Sequence, residues 1–167
     1  MNSRFLLIAA TLIGAVLALG GCAAGPTASP TPGTSPTSGM TAEPSMGGAT
    51  VNVTVQEFQV TTDVANAAAG EITFAVTNNG PDDIHEFVVI QTDLAPDALP
   101  TDDTGAVNED GDGITVIDEI EEIEVGATDE LTVTLEPGNY VLICNRFDAD
   151  ENEAHYQMGM YTAFTVE

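Results

Sequence analysis

In the larger, C-terminal part of the chain, apolar residues recur at every second position, in short runs separated by turn residues. Three of these runs are Val51, Val53 and Val55; Ile72, Phe74 and Val76; and Leu131, Val133 and Leu135. Alternation of this kind is typical of strands that bury one face. Asn78, Asn79, Gly80 and Pro81 end the second run, and Pro137 and Gly138 follow the third. Residues 50–167 are therefore predicted to form an all-β, antiparallel Greek-key sandwich or barrel of about seven to eight strands.

Three segments depart from simple alternation. Phe58 and Val60 continue the first run in the opposite phase, which predicts a bulge near Gln56 or Glu57. Residues 84–90 are apolar on both faces, as in a strand that is buried on both sides. In residues 114–125 the apolar positions fit either a helix or strands, and both readings stay open.

Residues 138–166 hold three side chains that bind soft metal ions. Cys144, His155 and Met160 lie between two strand-like runs, and the other histidine of the chain, His85, lies near the start of an earlier strand. A thiolate, imidazoles and a weak thioether suit an ion that cycles between Cu(I) and Cu(II). Singly, such residues are more often part of the core than ligands. Together they predict a site for one copper ion.

The first 21 residues have the order of an export signal. Arg4 precedes an apolar run over residues 5–19, and Leu19, Gly20 and Gly21 stand directly before Cys22. This order resembles a bacterial lipoprotein signal, in which cleavage precedes Cys22 and lipid is added to its sulfur. An ordinary secretory signal is the alternative. We predict an extracytoplasmic lipoprotein anchored to the outer face of the cell membrane.

Residues 22–49 are rich in Pro, Thr, Ser and Gly and have no periodic apolar residues. Such a segment buries too little apolar surface to offset the entropy of ordering it, so we predict a solvated linker. If Cys22 carries lipid, Cys144 is the only remaining cysteine and cannot form an internal disulfide. An unpaired thiol in an oxidising compartment is either buried or bound to a metal.

Acidic residues dominate the charge of the chain. It has 27 acidic and 2 basic residues, and loss of Arg4 with the signal would leave one basic residue and a net charge of −26. This balance argues against binding nucleic acid, whose phosphates need Lys and Arg. It also argues against binding anionic lipid headgroups. It permits either a merely solvated acidic surface or attraction to a partner with a basic docking surface.

A second metal motif is present at residues 108–119. Asn108, Asp110, Asp112 and Glu119 have the ligand spacing of a calcium-binding EF loop, with Gly113 at the turn position. The preceding segment contains Pro96 and Pro100 and is not expected to be a helix. We therefore interpret the motif as an acidic turn, with calcium binding as the alternative.

The whole of residues 50–167 resembles the cupredoxins, the small blue copper proteins such as plastocyanin, azurin and sulfocyanin. The resemblance rests on the turn before His85, the strand from Tyr140 to Cys144, and residues 155–160 with His155 and Met160 five positions apart. It implies that His85, Cys144, His155 and Met160 bind one copper ion. Ten residues separate Cys144 from His155, more than is usual in that family, which indicates an acidic insertion at 145–154.

The resemblance implies one-electron transfer to a redox partner such as a cytochrome or an oxidase. Two alternatives stay open, a lipoprotein that captures, stores or delivers copper, and a metal-free adhesive domain. A copper enzyme is disfavoured because no histidine remains for a second copper centre once His85 and His155 are used.

Overall fold

The structure is a computed structural model that describes residues 48–167. The predicted signal at 1–21, the lipidation of Cys22 and the linker up to residue 47 lie outside the described residues and stay predictions. The described residues form the strands β1 (Ala49–Gln56), β2 (Gln59–Thr62), β3 (Asn66–Ala67), β4 (Gly70–Asn78), β5 (His85–Thr92), β6 (Ile114–Ile123), β7 (Thr128–Leu135), β8 (Gly138–Ile143), β9 (Phe147–Asp148), β10 (Glu153–Ala154) and β11 (Tyr161–Val166). Between residues 48 and 167 there is no helix long and apolar enough to cross a membrane.

Two sheets contain most of the strands. The first has the order β2-β1-β4-β7, the second has the order β3-β11-β8-β5-β6, and β9 and β10 form a separate hairpin. Most pairings are antiparallel, as predicted, but those of β1 with β4 and of β11 with β3 are parallel, so the sheets are mixed. The prediction of an all-β sandwich is confirmed.

The main core combines the inward-facing residues of both sheets. Phe74 of β4 is fully buried, and its ring lies 5.5 Å from Phe87 of β5 and 5.6 Å from Phe164 of β11, measured between ring centroids. Each large apolar side chain buried in this way contributes about 1.5–3 kcal/mol relative to remaining exposed. The alternating valines and isoleucines of β1 and β4 therefore fix which face of each strand points inward.

A second, smaller core covers the outer face of β5. Val88 and Ile90 point away from the main core and pack with Leu99, Val107 and Tyr156 from the loops around the strand. This explains why β5 is apolar on both faces, as the sequence predicted. The strand that begins at His85 is thus held from both sides.

The structure corrects one sequence-based prediction and decides between two alternatives that the sequence left open. The predicted bulge near Gln56 or Glu57 was wrong. The chain turns after Gln56 instead, and β2 pairs back onto β1 with Val55 opposite Val60. A tight turn reverses the phase of the apolar residues just as a bulge does. Residues 114–123, for which helix and strand both stayed open, form β6, paired irregularly with β5.

The sheet topology brings the ends of β5 and β8 together. These strands are antiparallel neighbours, with Val88 opposite Ile143, so His85 at the start of β5 lies near Cys144, which follows β8. Asn78 fixes the turn before His85. Its buried side-chain amide donates to the carbonyls of Asp83 at 2.8 Å and Ile123 at 2.9 Å, and its carbonyl accepts from Gly80 N at 2.8 Å.

Candidate metal centre

Three of the four predicted ligands form a compact triangle of donor atoms. Cys144 Sγ lies 3.7 Å from His85 Nδ1 and 3.5 Å from His155 Nδ1, and the two Nδ1 atoms are 3.2 Å apart. All three residues are buried, with exposed fractions of 0%, 0% and 1% for His85, Cys144 and His155. The donor atoms face one another in a space that water does not reach from outside.

Met160, the fourth predicted ligand, is fully buried and held beside the other two residues of its loop. Its carbonyl accepts a hydrogen bond from Cys144 N at 3.0 Å, and its N–H donates to the carbonyl of His155 at 3.1 Å. These backbone bonds fix Met160 next to Cys144 and His155. The structure therefore gathers His85, Cys144, His155 and Met160 at one end of the sandwich.

The size of the triangle fits one metal ion. Metal–nitrogen bonds of about 2.0–2.1 Å and metal–sulfur bonds of about 2.3 Å, the values for zinc, allow an ion near the centre of such a triangle. Two imidazoles and one thiolate in trigonal arrangement, with a weak axial thioether, are the donor set of blue copper sites. The residues present therefore fit a copper ion.

The protonation states of the histidines suit ligands. Burial, reinforced by the neighbouring His155, lowers the pKa of His85 to about 4, although Glu57 acts in the opposite direction. Burial also lowers the pKa of His155. Both imidazoles are therefore neutral at pH 7 and keep the lone pairs that a metal needs.

The sulfur of Cys144 is protonated in the metal-free protein. Burial raises the pKa of the Cys144 thiol to about 12, although backbone N–H groups of Glu86 and Arg146 act in the opposite direction. The N–H of Glu86 lies 3.3 Å from Sγ and donates to it. Such hydrogen bonds favour the thiolate once a metal has replaced the proton.

The carboxylate of Glu57 lies against the outer nitrogen of His85. Glu57 Oε1 is 3.7 Å from His85 Nε2 and accepts hydrogen bonds from the N–H groups of Asp83 at 2.7 Å and Asp82 at 3.3 Å. Burial alone would raise the pKa of Glu57, but these backbone bonds outweigh it and lower the pKa. Glu57 is therefore an ionised acceptor beside a metal ligand.

The predicted insertion at 145–154 is an ordered hairpin. β9 and β10 pair with Ala154 opposite Phe147, and the His155 N–H donates to the carbonyl of Arg146 at 2.9 Å. Asn145 joins this loop to the loop between β5 and β6, since its side chain accepts a hydrogen bond from Val107 N at 2.6 Å and donates one to Val107 O at 3.1 Å. The longer loop is thus held at both ends.

The predicted calcium ligands do not form a group of their own. Glu119 lies on β6, where its carboxylate is close to those of Glu86 and Glu109, whereas Asp110 and Asp112 belong to no such cluster in residues 48–167. The segment that would form the second EF helix is β6, a strand. The EF-like spacing therefore does not lead to an EF loop, and the interpretation as an acidic turn is the one the structure favours.

Sequence reasoning missed Glu57, Asn145 and the grouping of Glu86 with Glu109 and Glu119. Glu57 is one among 27 acidic residues, and no motif distinguishes it. Glu86 directly follows His85, but that position does not indicate the other carboxylates that it meets. Asn145 directly follows Cys144, but an asparagine there does not by itself indicate the loop that it contacts. Each of these contacts joins residues at least 10 positions apart in the chain, for example Asn145 and Val107, which are 38 apart.

Comparison with known proteins identifies the fold. Neither a protein-family model nor a curated protein matches the chain. An auracyanin from Roseiflexus castenholzii is 23% identical over 72% of this chain and 99% of its own, with a TM-score of 0.49. Auracyanin A, a blue copper protein from Chloroflexus aurantiacus, is 20% identical over 72% of this chain and 100% of its own, also at 0.49. A rusticyanin is 15% identical over 72% of this chain and 79% of its own, at 0.50. The likeness to rusticyanin carries the assignment, and the predicted cupredoxin fold is confirmed.

Proposed function

We propose that this protein is a mononuclear type 1 copper protein that carries single electrons in the cell envelope. The observation that carries the proposal is the buried triangle of Cys144 Sγ and the Nδ1 atoms of His85 and His155, with sides of 3.2 to 3.7 Å. The cupredoxin fold and the buried Met160 beside this triangle support it.

The residues of the site are suited to one-electron transfer. When bound, copper would supply the Cu(I)/Cu(II) couple, and His85, Cys144, His155 and Met160 would hold it with a set of donors that suits both states. The protein keeps the donors in place, since β5 holds His85 while backbone hydrogen bonds join Cys144, His155 and Met160. Little rearrangement of the ligands is then needed when an electron arrives or leaves.

The charge of the protein supports a basic redox partner. With 27 acidic residues and one basic residue outside the predicted signal, the protein attracts a basic docking surface, such as that of a cytochrome or an oxidase. The predicted lipid on Cys22 would keep the domain at the outer face of the membrane, close to such a partner. No catalytic role is proposed.

Copper capture, storage or delivery is the competing function, and redox cycling separates the two. We expect voltammetry of the copper-loaded protein to show a reversible one-electron wave, with copper retained after repeated cycles in the presence of a Cu(I) chelator. The near-complete burial of His85, Cys144 and His155 is the reason to expect retention. An irreversible wave, or rapid loss of Cu(I) to the chelator, would instead support delivery.

A further inference from the structure

Nε2 of His85, the ring nitrogen on the side away from the proposed metal, has no hydrogen-bond partner within the described residues. The carboxylate of Glu57 lies next to it, and one oxygen of that carboxylate also lacks a partner. His85 Nε2 and Glu57 Oε2 are both shielded from solvent and both lack a partner. The nearer carboxylate oxygen, Oε1, is 3.7 Å from Nε2. A buried donor or acceptor without a partner costs about 1–3 kcal/mol, so two of them side by side call for an explanation.

The position of Glu57 is built into the turns on either side of the site. The N–H groups of Asp82 and Asp83, in the turn that leads to His85, hold Oε1 of Glu57 from one side. On another side is Gly80, where a Cβ atom would come within 2.5 Å of the Glu57 carboxylate. A side chain at position 80 would therefore require the carboxylate to move away from this position. Glycine at this position leaves the space that Glu57 occupies.

We propose that Glu57 is a positioning residue for the metal centre, which accepts a hydrogen bond from His85 Nε2–H and thereby keeps the proton on Nε2 and the lone pair of His85 Nδ1 directed at the metal. A histidine ligand commonly donates its other ring N–H to a carboxylate, which fixes the tautomer and makes the ligand more basic. The proposal rests on the proposed function, because it assigns a role around the same metal site.

The contacts on the inner side of the ring agree with this tautomer. His85 Nδ1 and His155 Nδ1 are 3.2 Å apart, within hydrogen-bond distance, and the tautomers of the two rings decide which one donates. With its proton on Nε2, His85 is the acceptor and His155 Nδ1–H the donor. The hydrogen bonds then run in one direction, from His155 to His85 and from His85 to Glu57. The imidazole of His85 is left in the form that a metal ion requires.

The carboxylate also has a predicted effect on the redox potential. A negative charge beside His85 stabilises Cu(II) more than Cu(I), so its loss weakens binding of Cu(II) more. Removal of such an outer partner typically costs about 10–100-fold in metal affinity. If Cu(II) affinity falls tenfold more than Cu(I) affinity, the midpoint potential rises by about 59 mV.

The test uses Glu57→Gln, with Asp83→Asn as the matched control. The glutamine of the first variant is neutral and has a single acceptor oxygen, which must serve both the backbone of Asp82 and Asp83 and His85 Nε2–H, so its hydrogen bond to Nε2 is weaker than that of the carboxylate. Asp83→Asn also removes one negative charge that acts on both histidines, and it leaves Glu57 in place. The two variants therefore separate the contact from the charge.

Three measurements report on the proposal. Nitrogen-15 NMR of the metal-free protein identifies the tautomer of His85, which we expect to carry its proton on Nε2 in the wild type and to shift toward Nδ1 in Glu57→Gln. Zn(II) affinity should fall about 10–100-fold in Glu57→Gln. The copper midpoint potential should rise further in Glu57→Gln than in Asp83→Asn.

A wild-type His85 that carries its proton on Nδ1 would overturn the proposal even if Glu57→Gln failed to fold. An equal effect of the two variants on affinity and potential would also overturn it, because charge alone would then explain the result. Failure of the proposed function is seen separately, as a wild-type protein that gives no copper–thiolate absorption while the tautomer of His85 is still measured.

Discussion

The Nδ1 atoms of His85 and His155 lie 3.2 Å apart, although 70 positions separate the two residues in the chain. Their rings meet edge to face, with centroids 5.1 Å apart, and both residues are buried. Two neutral imidazoles can satisfy each other at this distance with one shared proton, and the Cys144 thiol completes the group. A metal ion would displace the thiol proton, whereas the imidazole proton would pass to the outer nitrogen of its ring, and the protonation of the site and its metal affinity are therefore linked.

Metal binding at neutral pH should release close to one proton from Cys144. Its pKa of about 12 in the metal-free protein keeps the thiol protonated, whereas the ligand is the thiolate. Calorimetry of Zn(II) binding in two buffers with different ionisation enthalpies measures the number of protons released. Cys144→Ser should bind weakly and release none. Binding by the wild type without proton release would show that the thiol is not the ligand.

Asn78→Ala should destabilise the protein and Asn79→Ala should not. Loss of the buried Asn78 amide leaves the carbonyls of Asp83 and Ile123 and the N–H of Gly80 without their partners, at a cost of about 1–3 kcal/mol for a buried group left unsatisfied. Asn79 is the matched control, because it is also an asparagine, directly follows Asn78 in the chain and is exposed. Urea unfolding of the metal-free proteins measures the difference. Equal stabilities would contradict the role assigned to Asn78.

Glu86→Gln should change the pH dependence of stability. Burial, together with Glu119 and Glu109, raises the pKa of Glu86 to about 7. A carboxyl whose pKa is raised on folding favours the folded state below its unfolded value near 4.5, and this contribution is lost as the pH rises through about 7.

The measurement compares urea unfolding of wild type and Glu86→Gln, both metal-free, at about pH 5 and about pH 8. The wild type should lose stability relative to the variant at the higher pH. The lowered pKa of His85 has the opposite effect on stability between about pH 4 and 6.5, but it acts in both proteins and cancels in the comparison. Parallel pH profiles would show that Glu86 is not perturbed by its surroundings.

The acidic surface should control reactions with small charged oxidants and reductants. Electron exchange of the copper-loaded protein with hexaammineruthenium, a cation, should slow as salt is added, whereas exchange with ferricyanide, an anion, should accelerate. Stopped-flow absorbance at two or more ionic strengths measures both rates. The same salt dependence for both reagents would argue against electrostatic steering to a basic partner.

The alternation of residues made most of the fold predictable. Valine, isoleucine and phenylalanine at every second position of β1, β4 and β7 report burial directly, because only one face of each strand reaches the core. The same holds for the two-sided pattern of β5. The parallel pairing of β1 with β4 and the turn after Gln56 were not predictable in this way, since several pairings and connections bury the same residues.

The ligand residues were also recognisable because Cys144 and the two histidines are rare in this chain. The contacts around them were not. Glu57 reaches His85 through a turn between β1 and β2, and Glu119 meets Glu86 and Glu109 through an irregular pairing of β5 with β6. The Glu57–His85 contact and the grouping of the three glutamates both depend on how neighbouring strands are aligned. In a sequence with so many acidic residues, no single glutamate indicates that alignment.

The most direct measurement of the central claim is the visible and electron paramagnetic resonance spectrum of the protein after addition of one equivalent of Cu(II), with Cys144→Ser as the control. We predict an intense sulfur-to-copper charge-transfer band and a small copper hyperfine splitting in the wild type, and the loss of both in the variant. A weak absorption and an ordinary Cu(II) signal that are the same in both proteins would contradict a copper site built on Cys144.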